Sequence, residues 1–292
     1  MIKIEFDERD LRSLRVFCGV VSSGGFAAAE KTLLMSKASI SRHIREVEDR
    51  LGVSLCERGP SGFRLTAEGE VAARLAFDAI RSLERIKSEI DAVHGVLSGS
   101  ISIGLGEYSA FHSDFLLSNA IAEFKLGAPQ VDFNVSIMTF EELNRALRDQ
   151  SVDIVVRGKY PTDTEFNYLP LFEESHVMYV HQSVTKSQAL GLPLIRRNHP
   201  YVSELLISTK SPPGPVINDI EATVVLIGSG LYKGLIPKQI GTLLESRFPI
   251  KKLAGSKVFT HQICAITNRH RAPSRKVEVF LSTLDKHHMK VM

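Results

Sequence analysis

The stretch from residue 24 to residue 66 constrains the fold most, because it carries the signals of two helices and a hairpin in close succession. The alanine-rich residues 27–33 predict a short helix, and Leu34 and Met35 predict the turn that follows it. Ser36 predicts the cap of the next helix, since a serine hydroxyl can accept a free backbone N–H. This order of signals is typical of a helix-turn-helix.

The second of these helices is predicted to have two distinct faces. Four- and three-residue steps place one apolar stripe, which we expect to be buried, at Ile40, Ile44, Val47 and Leu51. The opposite face is cationic and carries small residues that allow close approach. The side chains that we predict to contact DNA there are Ser36, Lys37, Ala38, Ser41, Arg42 and Arg45. Arginine can bond guanine with two hydrogen bonds, so this face favours insertion into a major groove.

A tip rich in glycine, proline and serine follows at residues 59–62, and Arg58 and Arg64 flank it. Such residues favour a hairpin turn, and its arginines are predicted to contact the phosphate backbone, which positions a protein on DNA. A surface helix with a solvated charged face is the competing interpretation, because residues 1–70 hold about as many acids as bases. The order of the signals, rather than bulk charge, favours DNA binding.

The same segment resembles the winged helix-turn-helix of LysR-type transcriptional regulators. The match includes Gly24-Gly25-Phe26 and the run Ser-Ile-Ser-Arg at 39–42, and it extends to Gly69. Lys37 and His43 stand where glutamine is common in that family, and we expect both to affect base preference. The resemblance implies a sequence-specific regulator with a small-molecule effector. It also implies a dyad-related operator in double-stranded DNA and RNA polymerase as partners.

Thr66 is predicted to cap a long helix that runs to about His94. Apolar residues recur along it in steps of four and three, which is a heptad seam. A helix that packs only on its own domain is the plainer alternative. The resemblance implies a homodimer or homotetramer, and the residues predicted to mediate dimerisation are Ala76, Ala79, Leu83, Ile86 and Ile90.

The remainder of the chain alternates strand and helix patterns, which predicts a parallel α/β sheet. Strands are predicted at 101–105, 131–138, 153–157 and 263–267, helices at 114–126, 140–150 and 273–285, and strand-helix-strand units at 169–184 and 216–240. The resemblance implies a two-lobed effector domain like a periplasmic binding protein. The predicted fold class is therefore α plus α/β: a winged helix-turn-helix (1–66), a linker helix (67–95) and an effector-binding domain (96–292). Lobe one is predicted at 96–163 and 268–292, and lobe two at 164–267.

A ligand is expected beyond the carboxyl ends of the strands, where open α/β sheets bind their ligands. The predicted effector-binding residues, placed partly by the resemblance, are Tyr108, Ser109, Thr139, Arg157, His199, Tyr201, Tyr232 and Lys233. Arg157 and Lys233 are candidates to pair a carboxylate effector. Each residue has a plainer alternative, because a hydroxyl residue after a strand is commonly a helix cap and an arginine there commonly forms a surface ion pair.

Other function classes find little support. Cys18, Cys56 and Cys264 are far apart and form no CxxC, which predicts neither a disulfide framework nor a zinc site and fits a reducing cytosol. The histidines show no ligand spacing, so no metal site is predicted and most are expected at the surface. Ser109 stands where a dinucleotide fingerprint needs its third glycine.

No catalytic constellation is recognisable, so we expect a protein that is not an enzyme and that needs no cofactor. The sequence shows neither a signal peptide nor an apolar run of membrane-spanning length, which predicts a cytoplasmic location and no membrane partner. Two alternatives stay open. One is a cytosolic solute-binding or enzymatic α/β protein with an appended helical oligomerisation domain, and the other is a helical oligomerisation module that does not bind DNA.

Overall fold

The structure is a computed structural model that describes residues 6–59, 62–160, 165–209 and 211–289, with only the backbone described at 58, 59 and 62. The chain forms two compact units, Met1–Lys87 and Ser88–Met292. They divide inside the long helix rather than at its two ends, where the sequence predicted the boundaries. Within the described part of the chain, no helix combines the length and the apolar character needed to cross a membrane.

In its described residues, the first unit contains three short helices, a hairpin and most of a long helix. The elements are α1 (Glu8–Ser22), α2 (Phe26–Leu33), α3 (Lys37–Leu51), β1 (Cys56–Gly59), β2 (Gly62–Leu65) and α4 (Ala67–Val93). The hydrophobic core between them includes Phe17, Ile40, Ile44 and Leu55, each with no exposed surface. The predicted winged helix-turn-helix order is present.

The caps in this unit explain where its helices begin. Asp7 caps α1, because its carboxylate accepts backbone N–H groups while the Asp10 carboxylate accepts the Asp7 N–H at 2.9 Å. The α3 cap agrees with the prediction, since the Ser36 hydroxyl accepts the Ser39 N–H at 3.2 Å. Gly52, with φ of +70°, ends α3 in the left-handed conformation that glycine adopts without strain.

The second unit contains a mixed sheet with helices on its faces. The strands are β3 (Gly99–Gly106), β4 (Val131–Met138), β5 (Ile154–Gly158), β6 (Phe166–His181), β7 (Leu194–Arg196), β8 (Pro213–Val216), β9 (Gly234–Pro237), β10 (Ile250–Lys252) and β11 (Phe259–Asn268). The helices are α5 (Leu117–Gly127), α6 (Phe140–Arg148), α7 (Lys186–Gly191), α8 (Pro200–Thr209), α9 (Ile220–Gly228), α10 (Lys238–Leu244) and α11 (Arg275–Met289), with a 3₁₀ turn at Ser109–Phe111.

The main sheet has the order β10-β6-β11-β5-β3-β4, and β9 also pairs with β6. β3 is parallel to β4 and β5, whereas β11 is antiparallel to both β5 and β6. Within the main sheet, the prediction of parallel pairing is therefore right only for β3, β4 and β5, and β7 and β8 form a separate parallel pair.

β6 departs most from the prediction, because residues 169–184 form no strand-helix-strand unit. Its 16 residues form one strand that pairs with β11 along most of its length and with β9 and β10 towards its end. Pairing with β11, and then with β9 and β10, supplies hydrogen-bond partners for its backbone along the strand, which stabilises the extended form. The apolar runs in this segment reflect burial on both faces of the sheet.

The two lobes have separate hydrophobic cores. The core of lobe one includes Leu171 and Phe172 of β6 and Ile263 of β11, whereas that of lobe two includes Val177 and Tyr179 of β6. The chain thus passes between the lobes within β6 and within β11. The lobe boundaries predicted at 163/164 and 267/268 lie several residues away from this division.

Candidate DNA-contacting face and ligand cavity

The exposed face of α3 presents the side chains that the sequence singled out. Ser36, Lys37, Ala38, Arg42 and Arg45 are exposed, and Ser41 is half-buried. The opposite face carries the buried stripe of Ile40, Ile44 and Val47. Burial of that stripe fixes the rotation of α3, so its cationic residues must point to solvent.

Two polar contacts involve this face, and only the first of them holds it in place. The Glu30 carboxylate of α2 accepts the Lys37 backbone N–H at 2.7 Å, which stabilises the first turn of α3. The Arg42 side chain is 69% exposed and lies 3.9 Å from the Glu46 carboxylate. An ion pair this exposed contributes little to stability, so the guanidinium can turn towards another partner.

His43 does not belong to this face, and the prediction that it affects base preference is wrong. It is only 7% exposed. Its Nδ1 lies 2.9 Å from the Ser13 hydroxyl of α1 and 3.1 Å from the Glu46 carboxylate. The Ser13 hydroxyl donates to the same carboxylate at 2.7 Å, and this hydrogen bond is the main cause that lowers the pKa of Glu46. The three residues therefore join α3 to α1.

The hairpin after α3 supplies one described arginine to the same unit. β1 and β2 are antiparallel, with Glu57 opposite Arg64, and the Arg64 side chain is exposed. The predicted contact of Arg58 lies outside the described side chains. Phe63 packs edge-to-face on Phe26 of α2 with ring centroids 5.9 Å apart, which attaches the hairpin to the helices.

The α4 helix leaves much of its apolar seam uncovered. Leu83, Ile86 and Ile90 are 42%, 56% and 54% exposed. A groove of about 780 Å³ lies beside the first turns of the helix, and its apolar lining includes Leu75 and the predicted Ala79. Ala76 is 3% exposed and packs in one cluster with residues of α1, but it also lines this groove, so its part in dimerisation stays a prediction.

A cavity of about 90 Å³ lies within the second unit, at the carboxyl ends of β3 and β5. Three of the predicted effector-binding residues line it: Ser109, Arg157 and His199. Arg157 is buried, and its guanidinium lies 5.0 Å from the centre of the Phe140 ring. The position agrees with the expectation that a ligand binds beyond the strand ends.

Two other predicted residues have structural roles that occupy their polar atoms. Thr139 caps α6 in a reciprocal box with Glu142, whose carboxylate accepts the Thr139 N–H at 2.8 Å. The Lys233 ammonium is buried and donates to the carbonyl oxygens of Ala189 at 3.0 Å and Leu190 at 3.3 Å. Neither residue lines the cavity, and Lys233 is not placed to pair a carboxylate there.

The three predicted tyrosines also lie outside the cavity lining. Tyr108 and Tyr232 pack against the hydrophobic core of lobe two. Tyr201 stacks on Phe259 with ring centroids 4.6 Å apart and donates its hydroxyl to the Thr260 carbonyl at 3.3 Å. These tyrosines shape the walls of the lobe through packing.

An ion pair that the sequence did not indicate connects the two lobes. Glu107, after β3, accepts the Ile220 N–H at 3.3 Å at the start of α9 and lies 3.8 Å from the Arg197 guanidinium. Both side chains are largely buried and line the cavity. Burial raises the pKa of Glu107, and the positive charge of Arg197 opposes this shift.

A second missed group surrounds the other end of the cavity. Glu174 and His176 lie two residues apart on β6, and His261 stands directly opposite Glu174 on β11. All three are buried, and their potential ligand atoms lie within 4.8 Å of one another. Burial raises the pKa of Glu174 to about 7 and lowers that of His261 to about 4. The expectation that most histidines lie at the surface is wrong for this group.

The only sequence signal for this group was the spacing of Glu174 and His176. Residues two apart on a strand share one face of the sheet. His261 is far away in the sequence, so only the pairing of β6 with β11 brings it to them. His199 joins the group through ring contact with His176, with centroids 4.8 Å apart.

Comparison with known proteins places both units in one family. Residues 11–70 match the family model described as bacterial regulatory helix-turn-helix protein, lysR family, and residues 94–288 match the model described as LysR substrate binding domain. The HTH-type transcriptional activator BauR of Pseudomonas aeruginosa is 33% identical over 170 residues, which cover 58% of this chain and 56% of BauR. Matches to further curated relatives likewise span about half of their length.

Solved structures of full-length relatives share the fold. CbnR, a LysR family transcriptional regulator, superposes with a TM-score of 0.63 at 20% identity over 95% of this chain and 99% of CbnR. A full-length variant of OxyR from Pseudomonas aeruginosa has a TM-score of 0.59 at 18% identity over 94% of each chain. These similarities confirm the predicted fold class. The chain belongs to the LysR family of bacterial transcriptional regulators.

Proposed function

We propose that this chain is a sequence-specific DNA-binding regulator of transcription, controlled by a small molecule that binds in the cavity of the second unit. The observation that carries the proposal is the one-sided exposure of α3. Lys37, Arg42 and Arg45 face solvent, while the buried stripe and His43 hold the opposite side against the unit. A rigid helix with such a face suits insertion into a major groove.

The residues of this face divide into two roles by position. Ser36, Lys37 and Ala38 form the amino-terminal end of α3, where the helix dipole favours a phosphate and small side chains permit close approach. Arg42 and Arg45 stand one and two turns further along and have the reach to contact base edges or phosphates. Ser41 lies between the amino-terminal residues and these two arginines. We assign Arg64 on the hairpin to backbone contacts beside the groove.

We propose further that a second copy of the chain covers the exposed seam of α4. Burial of a large aliphatic side chain stabilises a protein by about 1.5–3 kcal/mol, and a side chain that stays in water does not contribute this free energy. Leu83, Ile86 and Ile90 follow one another along the helix, and Ala79 and Leu75 line the adjoining groove. A homodimer, or a homotetramer built from two dimers, would present two α3 helices to a dyad-related operator. RNA polymerase as a further partner stays a prediction from the family.

The effector that fits the cavity best is a small carboxylate. Arg157 and Arg197 supply guanidinium groups that can bind a carboxylate with two parallel hydrogen bonds, and Ser109 and His199 supply polar atoms beside them. A volume of about 90 Å³ admits only a ligand of a few heavy atoms. Such a ligand changes DNA binding only by its different affinities for two arrangements of the protein.

Selection of bound fragments from a random double-stranded DNA library, followed by sequencing, tests the DNA-binding proposal. We expect the full chain to enrich one sequence with dyad symmetry. Absence of enrichment over several rounds at low salt would refute sequence-specific binding.

A thermal-shift screen of small carboxylates against the full chain tests the effector proposal. We expect a stabilising compound whose effect is lost in Arg157→Gln and retained in Arg269→Gln, a control at an exposed arginine. Equal stabilisation of both variants by every active compound would contradict the assignment of the cavity.

A further inference from the structure

We propose that Glu174, His176 and His261 form a binding site for a divalent transition metal ion, with Zn²⁺ as the best-fitting ion. The proposal goes beyond DNA binding and carboxylate control, since binding of the ion requires neither. Two imidazoles and one carboxylate are a ligand set of zinc sites in proteins, and such sites keep a fourth position open.

The distances between the three potential ligand atoms need only small adjustments to match a tetrahedral zinc site. The Glu174 Oε2 atom lies 3.8 Å from His176 Nδ1 and 3.6 Å from His261 Nε2. Tetrahedral bonds of about 2.0–2.2 Å place ligand atoms about 3.3–3.5 Å apart, so each separation from Glu174 shrinks by a few tenths of an ångström. The two imidazoles approach each other from within 4.8 Å by small rotations about their side-chain bonds.

The orientation of the Glu174 carboxylate favours a role as a metal ligand. The Gln239 amide donates to Glu174 Oε1 at 2.6 Å, which leaves Oε2 directed at the two imidazoles. Hydrogen bonds of this kind commonly fix the carboxylate ligands of metal sites. Glu174 also stands opposite His261 in the register of β6 and β11, so the backbone of two paired strands holds both ligands.

The imidazole of His176 gives an independent indication of a metal site. It is 3% exposed, and its Nδ1 atom has no hydrogen-bond partner among the residues that the structure describes. A buried polar atom without a partner loses the solvation it had in water, and a bound ion would restore an interaction at that atom. Nδ1 is the atom that faces Glu174 Oε2, so it points to the centre of the proposed site.

His199 differs from these two histidines because both of its nitrogens already have partners. Its Nε2 lies 2.9 Å from the Tyr160 hydroxyl, and its Nδ1 accepts the Tyr201 N–H at 3.3 Å. We therefore assign three protein ligands and leave the fourth position to the cavity, which His176 and His261 also line. Arg197 lies on the same cavity and favours an anionic group or a polarised water at that position.

Metal titration of the full chain, in the absence of DNA, tests the proposal. After chelator treatment and dialysis, Zn²⁺ is titrated in competition with a chromophoric chelator, and Co²⁺ is titrated as a spectroscopic probe. We expect one high-affinity ion per chain and the visible absorption of low-coordinate Co²⁺. His261→Gln and Glu174→Gln should each weaken Zn²⁺ binding by about 100-fold or more, while His270→Gln, at an exposed histidine, should bind like wild type.

Two further measurements keep the test decisive. X-ray absorption of the Zn²⁺-loaded wild type should show two imidazole ligands and light-atom donors, and Gln239→Leu should weaken binding by about 10- to 100-fold without removing a ligand. Binding that is absent in the wild type, or that falls equally in His270→Gln and His261→Gln, would overturn the proposal. Because no DNA is present, failure of the DNA-binding proposal would leave this result unchanged.

Discussion

Replacement of Ser13 by alanine tests how α3 is held in place. Ser13 is 1% exposed, and its hydroxyl donates to Glu46 Oε2 at 2.7 Å and lies 2.9 Å from His43 Nδ1. Ser13→Ala removes both contacts and adds no bulk. The buried His43 nitrogen then keeps only the Glu46 carboxylate, at 3.1 Å.

These contacts set limits on the stability that Ser13→Ala is expected to lose. A hydrogen bond to a charged group contributes about 1.5–3 kcal/mol, but the Glu46 side chain is 46% exposed and water replaces part of the contact. We expect the opening free energy of the α1–α3 pair to fall by about 1–2 kcal/mol, which is a factor of about 5–30 in the opening equilibrium.

Hydrogen exchange followed by mass spectrometry is the appropriate assay. The chain has no tryptophan and its tyrosines all lie in the second unit, so its fluorescence does not report on α3. Amides of α1 and α3 should exchange about 5–30 times faster in Ser13→Ala, while peptides of the second unit serve as an internal reference. Ser22→Ala, at an exposed serine near the end of α1, is the control.

The effect should also depend on pH. The Ser13 hydrogen bond lowers the pKa of Glu46 in the folded state below its ordinary value of 4.5. Its contribution is therefore complete above pH 4.5 and is lost as the pH falls through the lower folded value. The difference between wild type and Ser13→Ala should shrink below pH 4.5. Exchange rates in Ser13→Ala that match those of Ser22→Ala at pH 7 would refute the role of this network.

Three further substitutions probe packing, capping and association. Gly69→Ala would place a Cβ atom 1.9 Å from the backbone carbonyl oxygen of Leu55, and we expect hydrogen exchange to show a loss of about 3 kcal/mol or more in the first unit. Thr139→Val removes the α6 cap and should lower the unfolding free energy of the second unit by about 1 kcal/mol, as tyrosine fluorescence in urea reports. Leu83→Asp places a charge in the α4 seam and should convert dimers to monomers in light scattering.

For each of these three substitutions, a specific result would contradict the expectation. Gly127→Ala, where an added Cβ meets nothing within 4 Å, should leave stability almost unchanged, and equal effects of the two glycine variants would contradict the close approach. Loss of carboxylate binding without loss of stability in Thr139→Val would show that Thr139 contacts the effector. Leu126→Asp, at a position 88% exposed on α5, is the control for association, and an unchanged mass of Leu83→Asp would remove the seam from the interface.

The winged helix-turn-helix was predictable because its signals are local. The Ser36 cap and the stripe of Ile40, Ile44 and Val47 each depend on neighbours within a few residues, and the structure places them as expected. His43 was misread because it lies at the border between the stripe and the cationic face. Its burial depends on Ser13 of α1, thirty residues away, which no helical periodicity contains.

The second unit was less predictable because long-range pairing decides its central features. β6 was read as broken by a helix, since burial on both faces gives an apolar run that suits either form. The strand ends and the resemblance together placed Ser109 and Arg157 at the expected ligand site, and both line the cavity. Lys233 was predicted there too, but its ammonium binds the end of α7 instead. The Glu174 and His261 pair arises only when β6 meets β11.

The most direct test of the central claim compares two matched arginines. Arg42 on α3 and Arg145 on α6 each have a side chain that is 69% exposed, and each lies 3.9 Å from a glutamate four residues away. Binding of the full-length variants to the selected operator is measured by fluorescence anisotropy at several salt concentrations. We predict that Arg42→Ala weakens specific binding by about 1–3 kcal/mol and that Arg145→Ala binds like wild type. Equal affinities of the two variants for the operator would contradict the assignment of α3 as the recognition helix.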